Sequence, residues 1–337
     1  MRRWFWILVC LMLVTIGAYA LADVNVDSQF FPDENFRGYV LQFDTNSDGM
    51  LDDKELNRIQ VIDCGQMNIS SLQGIEYFPS VEDIYCNDNA LTMLDVSKNQ
   101  TLTGLNCSRN KLTGLDLSQN AALKYLTCDG NQLTALDLSH NPDLRFLYCN
   151  ENSLKALDFS FHPHLELVEC RENQLTELDV SNHPDLFRCY CGGNKELISA
   201  DVSNTQIDLF SCYQGKLVSF KADHCEKLTR IDIYENKLTE LDVSGCSALE
   251  TLNCQYNQLI SLDVSENTAL KELDCFGNQL TSLNLGKKPA LTMLWCGWNR
   301  LKQLDLSGCP ALEELGCHGN ELTQLNVSLN PGLKELW

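Results

Sequence analysis

Positive charge is scarce in this sequence of 337 residues, which has 25 Lys and Arg against 46 Asp and Glu and a net charge of -21. A field of that sign repels phosphate backbones, so nucleic acids and anionic membranes are excluded as partners. The same charge suits an exported protein, a basic protein partner or divalent cations.

Long hydrophobic runs are also lacking beyond the first 22 residues. Arg2 and Arg3 precede an apolar run at residues 4–17, and Ala20 and Ala22 follow it at the spacing that signal peptidase reads. The run is too short to span a bilayer, so residues 1–22 are predicted to be a cleaved signal peptide. The protein is expected to be secreted or held at the cell surface, with no membrane insertion after cleavage.

The motifs of catalysis are lacking as well. The six histidines are scattered, and there is neither a nucleophile elbow nor a phosphate-binding loop. Without a nucleophile–base pair or a phosphate cradle, no reaction class is indicated. The sequence therefore predicts that the protein is not an enzyme.

Cysteine, in contrast, is abundant and periodic. Seventeen cysteines in an exported chain would ordinarily predict a disulfide scaffold, but most of these recur every 21 residues. Ile233 takes the one interrupted place, so the position accepts a plain apolar residue and we predict buried free thiols. A Cys225–Cys246 disulfide and a metal site in their column remain alternatives. The periodic residues are Cys86, Cys107, Cys128, Cys149, Cys170, Cys191, Cys212, Cys254, Cys275, Cys296 and Cys317.

Leucines and asparagines keep the same period. Residues 123–141 read LKYLTCDGNQLTALDLSHN, two near-copies of a short alternating run that ends in asparagine. Each run predicts a strand whose alternate side chains point inward. The asparagine amide can form hydrogen bonds with backbone groups at the bend that follows. Such turns are stable only when stacked, so we predict a mainly β solenoid over residues 59–337, with about 13 repeats, the last incomplete. The first face should carry a continuous parallel sheet and the second face a shorter or less regular one.

This unit resembles the leucine-rich-repeat pattern LxxLxLxxNxL, with Cys in place of the third Leu. It is similar to the 21-residue bacterial, internalin-like class whose second half reads LxxLDVSxN. The resemblance covers about residues 59–337 and implies an open solenoid with a recognition role. One turn, after Cys191, is irregular, and we predict Ser199 or Ala200 where an inward leucine is expected.

An aspartate recurs at one outward position of the second face. Like charges on neighbouring strands repel, so a compensating interaction is needed. We predict that each carboxylate accepts hydrogen bonds from backbone N–H groups or from the serine two residues later, and weak cation binding is the alternative. The column contains Asp95, Asp116, Asp137, Asp158, Asp179, Asp242, Asp263 and Asp305.

Residues 23–58 precede the repeats and are predicted to form a cap that begins with a small helix. The following segment, DTNSDGMLDDKE, resembles an EF-hand calcium loop. The resemblance implies a structural Ca²⁺, with Asp52 acting through water, although the second helix is short and no partner loop exists. A cap hairpin with a solvated acidic loop is the alternative. The implied ligands are Asp44, Asn46, Asp48, Met50 through its carbonyl, Asp52 and Glu55.

Aromatic residues recur at outward positions of the predicted first-face strands. Together with charged neighbours such as Arg145, Arg188 and Glu169, they have the composition of interface anchors and rim. We interpret them as a binding face, and cross-strand stacking that only stiffens the sheet is the alternative. The residues are Tyr125, Phe146, Tyr148, Phe187, Tyr190, Tyr213, Tyr234, Phe276, Trp295 and Trp298.

The sequence thus predicts an exported leucine-rich-repeat protein that mediates protein–protein recognition through its strand face. A carbohydrate-binding adhesin is the second hypothesis, because the same rings would stack on sugars. A structural surface component is the third.

Overall fold

The computed structural model describes residues 23–337, so the predicted signal peptide lies outside the described residues. Residues 23–58 form a small cap. In it, Val24–Asn25 pairs antiparallel with Met50–Leu51. The helix Glu34–Val40 begins after Asp33, whose carboxylate accepts two backbone hydrogen bonds, and a second, short helix spans Asp53–Leu56. Single-turn 3-10 helices occupy Leu41–Phe43 and Ile75–Tyr77.

Aromatic packing joins this cap to the first turn of the repeats. Phe31 is fully buried, and its ring centroid lies 6.0 Å from those of Phe36 and Tyr77 and 6.4 Å from that of Phe78. Edge-to-face contacts of this kind add to the burial of the rings themselves. The cap therefore covers the apolar end of the solenoid.

The first half of each turn contributes one strand to a parallel sheet, as predicted. Over the described residues this sheet has 14 strands, and each pairs in register with the strand of the next turn, as Phe146 does with Leu167. The chain is therefore mainly β. The strands are Val61–Asp63, Asp83–Tyr85, Gly104–Asn106, Tyr125–Thr127, Phe146–Tyr148, Leu167–Glu169, Arg188–Tyr190, Leu209–Ser211, Arg230–Asp232, Thr251–Asn253, Glu272–Asp274, Met293–Trp295, Glu314–Gly316 and Glu335–Leu336.

The second face is less regular, which confirms the expectation from the sequence. Within residues 23–337 it carries a sheet of three strands, a sheet of two strands and an isolated bridge between Asp95 and Asp116. The strands are Glu177–Asp179, Ser199–Asp201 and Ser219–Lys221, then Ser261–Asp263 and Ser282–Asn284. Among the described residues no helix is long and apolar enough to cross a bilayer.

The core lies between the two faces and consists of the inward leucines and the cysteine ladder. The described cysteines are all buried and all free, in agreement with the predicted free thiols. Cys225 and Cys246 are among them, so the alternative disulfide is not formed. Burial raises the pKa of Cys107 to about 12, and thiols that stay protonated are poor nucleophiles.

The irregular turn after Cys191 places Ala200, not Ser199, inward. Ala200 is buried and pairs with Leu178 on one side and Phe220 on the other. The ring of its neighbour Phe220 stacks at 4.8 Å on that of Phe210, which comes from the first face. Paired bulky and small residues thus keep the core filled while the repeat length varies.

Candidate binding face

The strand face consists of the outward side chains of the long sheet and of the bend directly after each strand. In Phe146–Tyr148, for example, Leu147 is buried while Phe146 and Tyr148 remain half-exposed. The alternation follows from the pleat, which directs successive side chains to opposite sides. A three-residue strand can therefore present its first and third side chains to solvent, although Leu167 and Ser211 are buried.

Asparagine holds the bend behind most strands in place, although Gly215 takes this position after Leu209–Ser211. The Asn131 amide oxygen accepts a hydrogen bond from the Leu112 amide at 3.0 Å. The Asn131 amide nitrogen donates to the carbonyls of Cys107 and Cys128 at 3.0 and 3.1 Å. Both amide atoms are used, so the predicted role of this asparagine is confirmed and the face rests on a rigid support.

All ten predicted aromatics lie at the surface, and with Tyr256 and Trp337 they form a row with an N-terminal and a C-terminal part. The most exposed are Trp298 at 64% and Tyr125 at 51%. The N-terminal aromatic group is Tyr125, Phe146, Tyr148, Phe187 and Tyr190, and the C-terminal aromatic group is Tyr213, Tyr234, Tyr256, Phe276, Trp295, Trp298 and Trp337.

Rings on adjacent turns stack. The centroids of Tyr125 and Phe146 are 5.1 Å apart with an interplanar angle of 9°. Those of Tyr213 and Tyr234 are also 5.1 Å apart, with an angle of 4°. Strand spacing sets this distance, so part of the aromatic content stiffens the sheet, as the alternative interpretation expected.

Trp337 is a member of the face that sequence reasoning missed. Its ring stacks on that of Trp295 at a centroid distance of 4.9 Å, although the two residues are two turns apart. Gly316 lies between them, and a Cβ added there would be 2.6 Å from the Trp295 ring. The sequence period could have predicted this member of the face. Trp337 occupies the same repeat position as Trp295, and Gly316 occupies it in the turn between them.

Charged residues surround the rings, and most basic ones are paired within the face. Among the pairs, Lys271 lies 2.8 Å from a carboxylate oxygen of Glu250, and Lys334 lies 2.7 Å from one of Glu313. These exposed pairs contribute little to stability. Their effect is to neutralise most of the positive charge on the C-terminal half of the face.

Two carboxylates on the face are partly buried without a cation. Asp129 accepts a hydrogen bond from the Asn150 amide at 2.6 Å, and Asp274 accepts one from the Phe276 amide at 3.0 Å. Burial raises the pKa of both carboxyl groups. An ionised group in such a position gains from a cation that approaches it.

The EF-hand-like loop retains the internal hydrogen bonds of a compact turn. Asp44 accepts from the amides of Asp48 and Gly49 at 3.2 and 2.9 Å. The Glu55 oxygens accept from Thr45 and from the Asp52 amide, at 2.7 and 3.1 Å. In residues 23–337 no three His, Cys, Asp or Glu side chains are arranged to hold a metal. Calcium would require Glu55 to exchange these partners, so calcium binding stays a prediction.

The aspartate column of the second face makes the predicted hydrogen bonds. Asp95 accepts from the Ser97 amide at 2.9 Å, and Asp158 accepts from both the amide and the hydroxyl of Ser160 at 2.9 and 2.7 Å. Shallow grooves run beside this column, and one of them is lined by Ala135. Phe159 and His183 also line this groove, which has no row of rings like that of the strand face.

Comparison with protein-family models and with curated proteins finds no match. Solved structures, in contrast, match over most of the chain. The functional domain of InlJ from Listeria monocytogenes, described as including a cysteine ladder, is 29% identical with a TM-score of 0.65 and covers 93% of this chain and 75% of its own. An internalin, InlF, from the same organism is 21% identical with a TM-score of 0.65, covering 94% and 97%.

A leucine-rich-repeat protein of Leptospira interrogans is 22% identical with a TM-score of 0.62 and covers 78% of this chain and 74% of its own. None of these three structures is described as an enzyme. Together with the parallel solenoid and its 21-residue period, they show the class: the chain is an internalin-like leucine-rich-repeat solenoid.

Proposed function

We propose that this chain is an exported recognition protein that binds a protein ligand through its strand face. The observation that carries the proposal is the row of outward aromatic side chains on a continuous parallel sheet. Tyr and Trp are enriched among the residues that dominate protein interfaces, and exposed apolar surface of this kind marks interaction sites. The internalin-like class supports the same function.

Rigidity of the support favours binding. The strands pair in register, and asparagines such as Asn131 fix the bend behind most of them. A surface whose side chains are already ordered loses less conformational entropy when a partner binds. The stacked pairs, such as Tyr213 with Tyr234, therefore stiffen the face and pre-organise it at the same time.

Carbohydrate binding is the second candidate, and the exposure of two rings favours it. Trp298 and Tyr256 follow the strands of turns that are two repeats apart, and both are largely exposed. Flat, exposed rings at regular spacing could stack on successive sugars. The charged residues between the rings favour a protein ligand instead, because charge complementarity gives specificity for a charged partner.

Export is part of the proposal and rests on the sequence of residues 1–22 alone. The net charge of -21 fits a secreted or surface-held protein with a basic partner. Signal-peptide cleavage is tested by N-terminal sequencing of the secreted chain after expression in a bacterial host. An intact N-terminus would contradict this part of the proposal.

A quantitative pull-down tests the binding face. The mature chain is compared with a variant carrying Tyr148→Ala, Tyr190→Ala and Trp295→Ala, and with a control carrying Met93→Ala, Phe161→Ala and Ile260→Ala. The control residues are exposed and apolar but lie away from the strand face. Ligand capture should fall at least about tenfold only in the first variant. Equal capture by all three proteins would show that the face is wrongly assigned.

A glycan array with the same three proteins separates the two candidates. Protein capture without binding to neutral glycans supports the proposal. Glycan binding that is lost only in the strand-face variant would replace the protein ligand by a carbohydrate.

A further inference from the structure

The N-terminal aromatic group contains an arrangement of three side chains in which a cation lies between a carboxylate and a ring. The Arg171 guanidinium is 3.0 Å from a carboxylate oxygen of Glu169. The same guanidinium lies over the Tyr190 ring, 4.2 Å from its centroid. A cation held in this way gains both a charge-assisted hydrogen bond and a cation–π contact.

The same three positions recur five repeats later with one difference. Asp274 takes the place of Glu169, Trp295 that of Tyr190, and Phe276 that of Arg171. The carboxylate and the ring are again neighbours on adjacent strands, because Asp274 and Trp295 are paired in register. The acid and the aromatic ring are thus kept, whereas the chain supplies no cation at the third position.

Nearby basic side chains do not replace that cation. The Asp274 carboxylate forms no ion pair with any residue in the described part of the chain, and the one hydrogen bond that it accepts there comes from the Phe276 amide. Lys271 pairs with Glu250, and Arg230 pairs with Asp232 at 2.7 Å. The carboxylate is therefore half-buried and uncompensated, which is costly in a solvent-poor surrounding.

The Trp295 ring offers one of its faces. Trp337 stacks on this ring from the strand two places further along the sheet, across Gly316. Asp274 belongs to the strand on the opposite side of Trp295. No other ring of the described residues stacks on Trp295, and Asp274 lies on the neighbouring strand away from Trp337.

We propose that Asp274 and Trp295 form a binding notch for a guanidinium or ammonium group of a basic segment in the protein partner. The proposal rests on the proposed function and names the chemistry of the ligand. Charge complementarity supports it, because the chain carries a net charge of -21 and the basic residues around the notch are already paired. Arg suits the notch best, since its planar group both forks onto a carboxylate and stacks on a ring.

Fluorescence anisotropy with two synthetic peptides tests the notch. The first peptide is a fluorescein-labelled sequence of alternating arginine and serine, and the second carries citrulline in place of each arginine. Citrulline keeps the shape and loses the charge. The arginine peptide should bind at least about tenfold more tightly at low salt, and the difference should shrink in high salt.

Three variants locate the binding. Asp274→Asn and Trp295→Ala should each weaken the arginine peptide by about tenfold or more. Phe276→Arg should rebuild the intramolecular arrangement of Glu169, Arg171 and Tyr190 and thereby block the notch. The matched control is Asp242→Asn, which removes one negative charge from the second face and should leave the affinity unchanged. Circular dichroism verifies that each variant is folded.

Each outcome either supports or overturns the proposed notch. Selective loss in the three notch variants supports the proposal. Equal binding of both peptides would show that the cationic charge is not recognised and would overturn the proposal. Equal weakening by Asp242→Asn would reduce the effect to the overall negative charge and would overturn it as well. Binding of a neutral β-linked N-acetylglucosamine oligomer with the same variant pattern would assign the notch to a glycan. If the arginine peptide fails while the strand-face variant still loses its captured ligand, the notch is wrong and the proposed function stands.

Discussion

The two faces of the solenoid are built from near-copies of the same half-repeat, yet they differ in order and in outward chemistry. The first face is one continuous sheet whose outward residues change from turn to turn, whereas the second is broken and repeats Asp-x-Ser. On the first face Asn131 uses both amide atoms, while on the second the Asn120 amide oxygen has no partner in the described structure. On the first face the outward residues vary from turn to turn, whereas the inward hydrogen bonds are satisfied. A binding surface needs both properties.

The carboxylates of the two faces also differ. On the second face the backbone N–H and the hydroxyl of Ser244 lower the pKa of Asp242. On the first face burial raises the pKa of Asp274. The second-face aspartates thus stabilise the bend beside them through hydrogen bonds. Burial instead disfavours the ionised form of Asp274, and a cationic partner would offset that cost.

The largest predicted effect compares the inward leucines of the two faces. Leu147→Ala removes a fully buried side chain from the first face and should lower the free energy of unfolding by about 3 kcal/mol. Leu157→Ala removes a side chain that is only partly buried on the second face and should cost about half as much. Urea unfolding measures both changes in the free energy of unfolding. Equal losses in the two variants would contradict the predicted difference between the faces.

The next effect concerns the asparagines. Asn131→Ala leaves the Leu112 amide without a partner and should cost about 2 kcal/mol. The carbonyls of Cys107 and Cys128 each lose one hydrogen bond but keep those from Asn110 and Asn152. Asn120→Ala removes one hydrogen bond from each of the carbonyls of Val96 and Asn99, which both keep a backbone partner, and should cost about 1 kcal/mol. Thermal melts of the two variants rank them, and a larger loss for Asn120→Ala would reverse the predicted order.

The third prediction concerns which region binds calcium, the cap or the second face. We predict that millimolar calcium stabilises the chain by about 1–2 kcal/mol through the EF-hand-like loop, and that a chelator removes the shift of the melting temperature. Glu55→Gln should abolish the shift, because the loop loses its bidentate ligand.

Persistence of the shift in the Glu55→Gln protein would assign the cation to the aspartate column and give the second face a binding role. An unchanged melting temperature in the wild-type chain would remove the loop from the set of sites.

The smallest effect is the response to acid. Because the folded pKa of Asp242 is lowered, its contribution is present above the unfolded-state value of about 3.9 and is lost as the pH falls below it. Asp242→Asn should therefore destabilise the chain near neutral pH, by less than about 1 kcal/mol because the group is mostly exposed.

Asp274 should respond in the opposite direction. Its folded pKa is raised, so ionisation costs stability as the pH rises through that value. Asp274→Asn should be neutral or stabilising near neutral pH, and the difference from wild type should shrink on acidification. Urea midpoints across this range check both variants, and shifts of the same sign would remove the electrostatic difference between the faces.

Much of the fold follows from the period alone, because position within the repeat decides which side chains turn inward. Ala200 illustrates the limit, since the sequence left Ser199 and Ala200 open and the choice depended on packing against Phe220. The directions in which the aromatic side chains lean were harder to predict. Trp295 leans across Gly316 onto Trp337, and this direction depends on the space that glycine leaves rather than on alternation.

The binding role of the strand face is tested most directly by oxidative footprinting of the chain with and without its captured partner. Trp295, Trp298 and Tyr148 report on the strand face, and Met93, which is 80% exposed, reports on the second face. The account predicts that the partner protects the three strand-face residues and leaves the oxidation of Met93 unchanged. Protection of Met93 with unaltered oxidation of the rings would contradict it.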